Sequence, residues 1–231
     1  MHEIEQRLDD WKNNLCQKVE VAALLSRNAI AHKWKAPFSL IIREACFWRI
    51  HDLLSQSYSL HNYHQTLGSR ILLRSVLETL STLIYLNHLT KNVLAGVEDF
   101  HSFSEKTSRL LLGSKDKSTK HEAININTVL DKCDDRYPGI SKLYASLSES
   151  AHPNFESTCF GYARSDQENH ITVFSNNLRE MYEDQQLSSI KFCMMIFEEE
   201  YNKEWETQFE RLESWLVIND SELESSKPNW P

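Results

Sequence analysis

Arg27-Asn28-Ala29-Ile30-Ala31-His32 sets a permanent cation, a side-chain amide and an imidazole within little more than one helical turn. An arginine fork holds phosphate oxygens in two parallel hydrogen bonds. Histidine is the side chain best suited to moving a proton near neutral pH. An asparagine amide can orient either partner. Together Arg27, Asn28 and His32 form a kit for handling a phosphodiester without a metal. On an ideal helix Asn28 and His32 share a face, while Arg27 and His32 point roughly 140° apart. The length of the arginine side chain, or a distorted helix end before Pro37, would let the three converge. The plainer reading is that Arg27 and His32 line a helix C-terminus, where cations favour the dipole.

A second group lies further on. Arg74 and Glu78 are i, i+4 in the most apolar stretch of the chain, a spacing that usually makes a structural ion pair. Tyr144, Ser148 and His152 are spaced four and four, so one helix face would present two hydroxyls and an imidazole. No acid is placed to orient His152 and no G-x-S-x-G elbow exists, so this is not a catalytic triad. Capping and core hydrogen bonding is the simpler role. A polar cleft shared with Arg27 and His32 is the functional one. His61 and His64 are three apart, but no third ligand follows, and no metal site is expected. No phosphate-cradling glycine loop is present. Lys115-Asp-Lys117-Ser-Thr-Lys120 is a small basic loop that RNA could touch, or simply a solvated one.

These residues must be positioned by helices. The 231 residues hold only five Gly and five Pro, which favours a few long elements. Apolar periodicity predicts a helix over 3–33, broken before Pro37, and a second over 39–64. A third, over 70–89, is the most apolar, and a fourth over 96–112 is ended by Gly113. Short helices follow over 124–133 and 140–150, with Tyr137-Pro138-Gly139 between them and Pro153 after. Residues 153–177 are irregular. Ile171–Phe174 reads as a short strand with no visible partner. One long helix is expected over 178–218. The expected architecture is all-α: a single-domain bundle of six or seven helices over 1–220, with a polar tail over 221–231.

Composition narrows the function. The five cysteines are scattered and odd in number, as in a reduced, intracellular protein. The N-terminus lacks an apolar signal core. Arg74 and Glu78 sit inside the apolar 71–89 stretch, which argues for a bundle helix rather than a membrane span. A cytoplasmic protein away from the membrane is expected. The net charge of -8 argues against a surface coated for long nucleic acids. It leaves room for a local cleft.

Arg27–His32 resembles the R-x(4–6)-H motif of the HEPN superfamily, whose members often carry a polar Asn after the Arg. HEPN domains are helical bundles, commonly homodimers, and many are metal-independent endoribonucleases with two motifs facing across the dimer. The resemblance implies His32 as acid/base at the ribose 2′-OH and Arg27 as the stabiliser of phosphate charge, with Asn28 orienting one of them. It also implies no cofactor, RNA as substrate, and an antitoxin or antiphage-defence partner protein. The chain departs from the family twice. Trp34 stands where nucleotide-modified relatives have Tyr, and the motif begins early. Arg164 and His170 also fit the spacing, in a polar stretch. The R-x-x-x-E helix and the Y-x-x-L-S-x-x-x-H-P segment are similar to a family of uncharacterised bacterial helical proteins. Two other readings stand beside the nuclease. One is a non-catalytic interaction or regulatory protein using the long C-terminal helix. The other is a hydrolase or ligand binder centred on Ser148 and His152.

Overall fold

The computed structural model describes residues 2–228. Among the described residues the chain forms ten α-helices, two π-helical turns and one antiparallel hairpin. The all-α expectation holds, but the helices outnumber the six or seven expected. The main reason lies at the start. The helix expected over 3–33 is three helices: α1 (His2–Asn13), α2 (Val21–Arg27) and α3 (Ala29–Lys33). Asn14 ends α1 by donating its side-chain amide to Asp10 O at 2.7 Å. Asn28 ends α2 in an extended conformation (φ -149°) and caps α3, its Oδ1 accepting from Ala31 N at 2.9 Å. Asparagine competes for backbone groups in this way, which suits it to caps better than to helix interiors.

The remaining helices follow the apolar periodicity closely. They are α4 (Pro37–Asn62), α5 (Thr66–Leu94), α6 (Phe100–Leu112), α7 (Ile126–Asp134), α8 (Ile140–Ala151), α9 (Leu178–Glu199) and α10 (Trp205–Ser225). Pro37 takes the first position of α4, where its missing N–H costs nothing. The long C-terminal helix is interrupted by a π-helical turn at Glu200–Glu204, and it continues past Asp220 to Ser225. A second π-helical turn, Phe155–Phe160, follows α8.

The strand at Ile171–Phe174 (β2) does have a partner. It pairs with Ala163–Asp166 (β1), in the register Ala163 with Phe174 and Asp166 with Ile171. Asp166 Oδ1 accepts from Glu168 N and Asn169 N and closes the turn. The polar Arg164–His170 stretch is therefore a hairpin, not a helix.

The described chain forms two compact units. The first joins residues up to Asn14 with Arg49–Leu80 and Cys133–Ile196. The second joins Leu15–Trp48, Ser81–Lys132 and the chain from Phe197 onward. No Pro/Gly-rich linker marks this division. In the first unit Ile50, Leu54, Leu73, Val76, Leu77, Ile140, Leu147 and Ile190 are buried. A polar network sits among them: Ser57 and Ser69 exchange hydroxyl-to-carbonyl bonds, and Gln186 donates to Ser69 Oγ at 2.7 Å. In the second unit Phe47 packs tilted against Phe197 and Tyr201, and Trp34 meets Phe100 edge-on at 5.6 Å.

Gly113 ends α6 for a steric reason. Its φ is an ordinary -66°, but a Cβ there would stand 2.3 Å from Arg109 O and 2.8 Å from Ala123 Cα. The close approach lets the 114–122 loop fold back, with Ser114 N donating to His121 O at 2.9 Å. Gly113→Ala is expected to lower the melting temperature and to raise amide exchange in that loop. Leu77→Ala, at a fully buried position, is expected to cost about 2–5 kcal/mol in denaturant titrations.

Candidate functional site

In the second unit, the segment from Arg27 to His32 is divided by the break at Asn28. Arg27 belongs to α2 and His32 to α3, so the argument from one continuous helix face does not apply. The Arg27 guanidinium pairs with Glu213 on α10 at 2.5 Å, with 55% of its side chain still exposed and Glu213 at 14%. Asn28 Oδ1 is engaged in the cap. His32 is half-buried, and its backbone carbonyl accepts from Lys35 N at 3.0 Å.

The residues just after the motif fasten α3 to α10. Lys33 Nζ pairs with Asp220 at 2.6 Å and Glu224 at 2.7 Å. Trp34 Nε1 donates to Asp220 Oδ1 at 2.7 Å. The Lys33 ammonium holds the Asp220 carboxyl below its ordinary range, helped by the indole N–H. Lys227 first, and then Lys33, do the same to Glu224. Trp34 is a buried anchor of this seam. Lys35 follows with φ +60°, a left-handed conformation unusual for a residue with a Cβ.

In the first unit, α5 and α8 bring together four of the five residues of the second group. Arg74 Nε donates to Ser148 Oγ at 2.9 Å, and its other nitrogen donates to Tyr144 Oη at 2.6 Å. Tyr144 in turn donates to Glu78 Oε1 at 2.8 Å, and Arg74 pairs with Glu78 at 3.3 Å. Burial and the bond to Glu78 raise the Tyr144 hydroxyl above its usual range, so it stays protonated and donating. His152 does not join them. The helix ends at Ala151, and His152 is its extended cap (φ -100°, ψ 143°), with an exposed side chain. Its carbonyl accepts from Ser157 Oγ. The four-and-four spacing fails at its last step, and with it the Ser148–His152 pair.

One turn earlier lies a residue whose weight the sequence did not show. Arg70 is fully buried. Its Nε donates to Ser150 Oγ at 2.7 Å and its terminal nitrogen to Ser146 O at 3.0 Å. Its guanidinium stacks 3.7 Å from the centre of the Tyr182 ring. Tyr182 donates to Glu156, and burial together with that carboxylate pushes it up to about 12. Ser146, Ser150, Glu156 and Tyr182 are far from Arg70 in sequence, and no local spacing signals them. Every group of this ladder is engaged, as in a structural network.

Metal-holding groups of three or more ligands are absent among the described residues. His61 is held below its usual range by burial, and His64 lies 3.9 Å from Glu183.

The α3–α10 seam has a definite pH dependence. Asp220 and Glu224 have depressed folded-state values, so their contribution is complete above the ordinary carboxylate range and is lost as pH falls through the depressed values. Protection factors of the α3 amides, corrected for the intrinsic pH dependence of exchange, are therefore expected to fall on acidification below about pH 4, and Asp220→Asn should lower them already at neutral pH.

No family model, no curated protein and no solved structure matches this chain.

Proposed function

We propose that the protein is a HEPN-type helical domain that cleaves RNA without a metal and works as a homodimer. One observation carries the reading. α2, Val-Ala-Ala-Leu-Leu-Ser-Arg, has no buried residue, and Val21 and Leu25 are exposed. An apolar helix with no side chain more than half-buried calls for a partner surface. A second copy docked there about a two-fold axis would bring two Arg27–His32 segments to one seam. His32 would take the proton of the ribose 2′-OH as its oxygen attacks phosphorus. The bond to the 5′-oxygen breaks, and that oxygen receives a proton. Arg27, released from Glu213, would balance charge on the phosphate oxygens. The products are a cyclic phosphate and a 5′-hydroxyl.

A second reading has its own support. Arg27 is ion-paired and Asn28 caps a helix, which are complete structural roles. The chain would then be a non-catalytic interaction protein. The apolar positions of its C-terminal helix are mostly buried, from Ile190 and Phe197 to Leu212 and Leu216. Met195, Val217 and Ile218 remain exposed on it, and α2 is a second uncovered apolar surface.

Wild type and His32→Ala, incubated with structured RNA in EDTA, separate the readings. Cyclic phosphate ends from wild type alone are expected. Equal cleavage by His32→Ala would overturn the nuclease assignment. No cleavage by either, with a dimer that Leu25→Asp converts to monomer by sedimentation, would favour the interaction protein. Glu213→Gln is expected to raise cleavage several-fold by freeing Arg27.

A further inference from the structure

The second unit holds an open cleft of about 510 Å³ beside α6. Lys35, His101, Arg109, Lys120 and His121 line it. Two carboxylates, Glu105 and Glu122, line it as well. Three permanent cations and two imidazoles thus outnumber the acids, in a chain whose net charge is -8.

The cations also lack carboxylate partners, Lys35 having only the Phe38 ring 5.8 Å from its ammonium. Elsewhere the acidic residues pair with most of the basic ones: Arg27, Lys33, Arg74, Lys91, Lys106 and Arg179 each have a carboxylate within 3.5 Å. Among the described residues Lys35, Arg109 and Lys120 have none, although Glu105 and Glu122 share their cleft. Arg109 Nε donates to Glu122 O at 3.0 Å, which aims the guanidinium and leaves its terminal nitrogens unengaged among the described residues.

The walls are held by their own bonds. Thr119 N donates to Ser114 Oγ at 3.1 Å and Ser118 N to Asp116 Oδ1 at 3.0 Å. Lys120 and His121 therefore stand on a closed loop, behind the close approach at Gly113. Lys35 reaches the cleft from a left-handed position that a lysine adopts only at a cost in strain. Cations converging from three segments raise the local positive potential and attract anions there. A guanidinium fork with two ammonium groups suits phosphate oxygens, and the volume suits a nucleotide-sized ligand.

We infer that this cleft binds the phosphate of a nucleotide-sized ligand, either free or within an RNA strand. The inference does not depend on the nuclease reading, since a protein that cleaves nothing would keep the cleft.

The test is titration of the full chain in EDTA, followed by NMR of the histidine ring protons. The probes are inorganic phosphate, adenosine monophosphate and a short 2′-O-methyl RNA that cannot be cleaved through its 2′-oxygen. Saturable shifts with at least one probe are expected. The Lys35→Gln/Lys120→Ala double variant should bind about ten-fold more weakly, with Lys142→Ala as an unaffected control. Binding of phosphate or the mononucleotide identifies a free ligand. Binding of the RNA alone identifies a strand. Either supports the site. The absence of saturable shifts with all three probes, or equal binding by the folded double variant, would overturn it. His32→Ala is expected to bind as wild type does, which keeps this result separate from the cleavage assay.

Discussion

Arg70 is fully buried, and a guanidinium taken out of water must keep its hydrogen bonds or cost several kcal/mol. In the first unit that requirement decides how α8 lies along α5. Ser146 and Ser150 meet Arg70, and Ser148 and Tyr144 meet Arg74 one turn on. The serines recur every second residue yet face two arginines, because both guanidinium groups reach across the same seam. Tyr182 closes the ladder with its ring over Arg70 and its hydroxyl on Glu156. A shift of α8 by one residue would leave buried donors unpaired, so the network sets register more than it adds net stability.

The second unit answers a different problem, a chain that breaks three times in its first forty residues. Short helices such as α2 and α3 are not stable alone. α3 is secured by Lys33 and Trp34 on Asp220, and by the edge-on contact of Trp34 with Phe100. α2 has no buried contact of its own and is tied through Arg27 to Glu213. The polar groups that look like a nuclease kit are thus also what fastens this segment. The two roles compete for Arg27: a guanidinium engaged by a carboxylate at 2.5 Å is not free for a phosphate.

Charge distribution explains how an acidic protein can still present an anion site. Its carboxylates are spent locally, on ion pairs along α9 and α10 and at the Lys106–Glu98 contact. The cleft beside α6 keeps its cations because Arg109 is turned toward a backbone carbonyl and Lys120 stands on a loop that folds back on itself. Local field, rather than net charge, decides which ligands such a surface attracts.

By itself the sequence determined the helical class and most helix positions, because apolar spacing and the scarcity of Gly and Pro are local properties. It also determined that Arg74 and Glu78 would meet, being one turn apart. It did not determine the breaks at Asn14 and Asn28, where an asparagine side chain competes with the helix and burial of Leu15 and Ala31 tips the balance. Nor did it reveal the strand that pairs with Ile171–Phe174, the departure of His152 from its helix face, or the partners of Arg70. The cleft was hinted at only by the basic loop over 115–120. Lys35, His101 and Arg109 join Lys120 from distant segments, and only tertiary packing brings such groups together. Periodicity reports which face of a helix is apolar. Which side chains then meet across that face depends on contacts among residues remote in sequence, and the tertiary structure alone decides them.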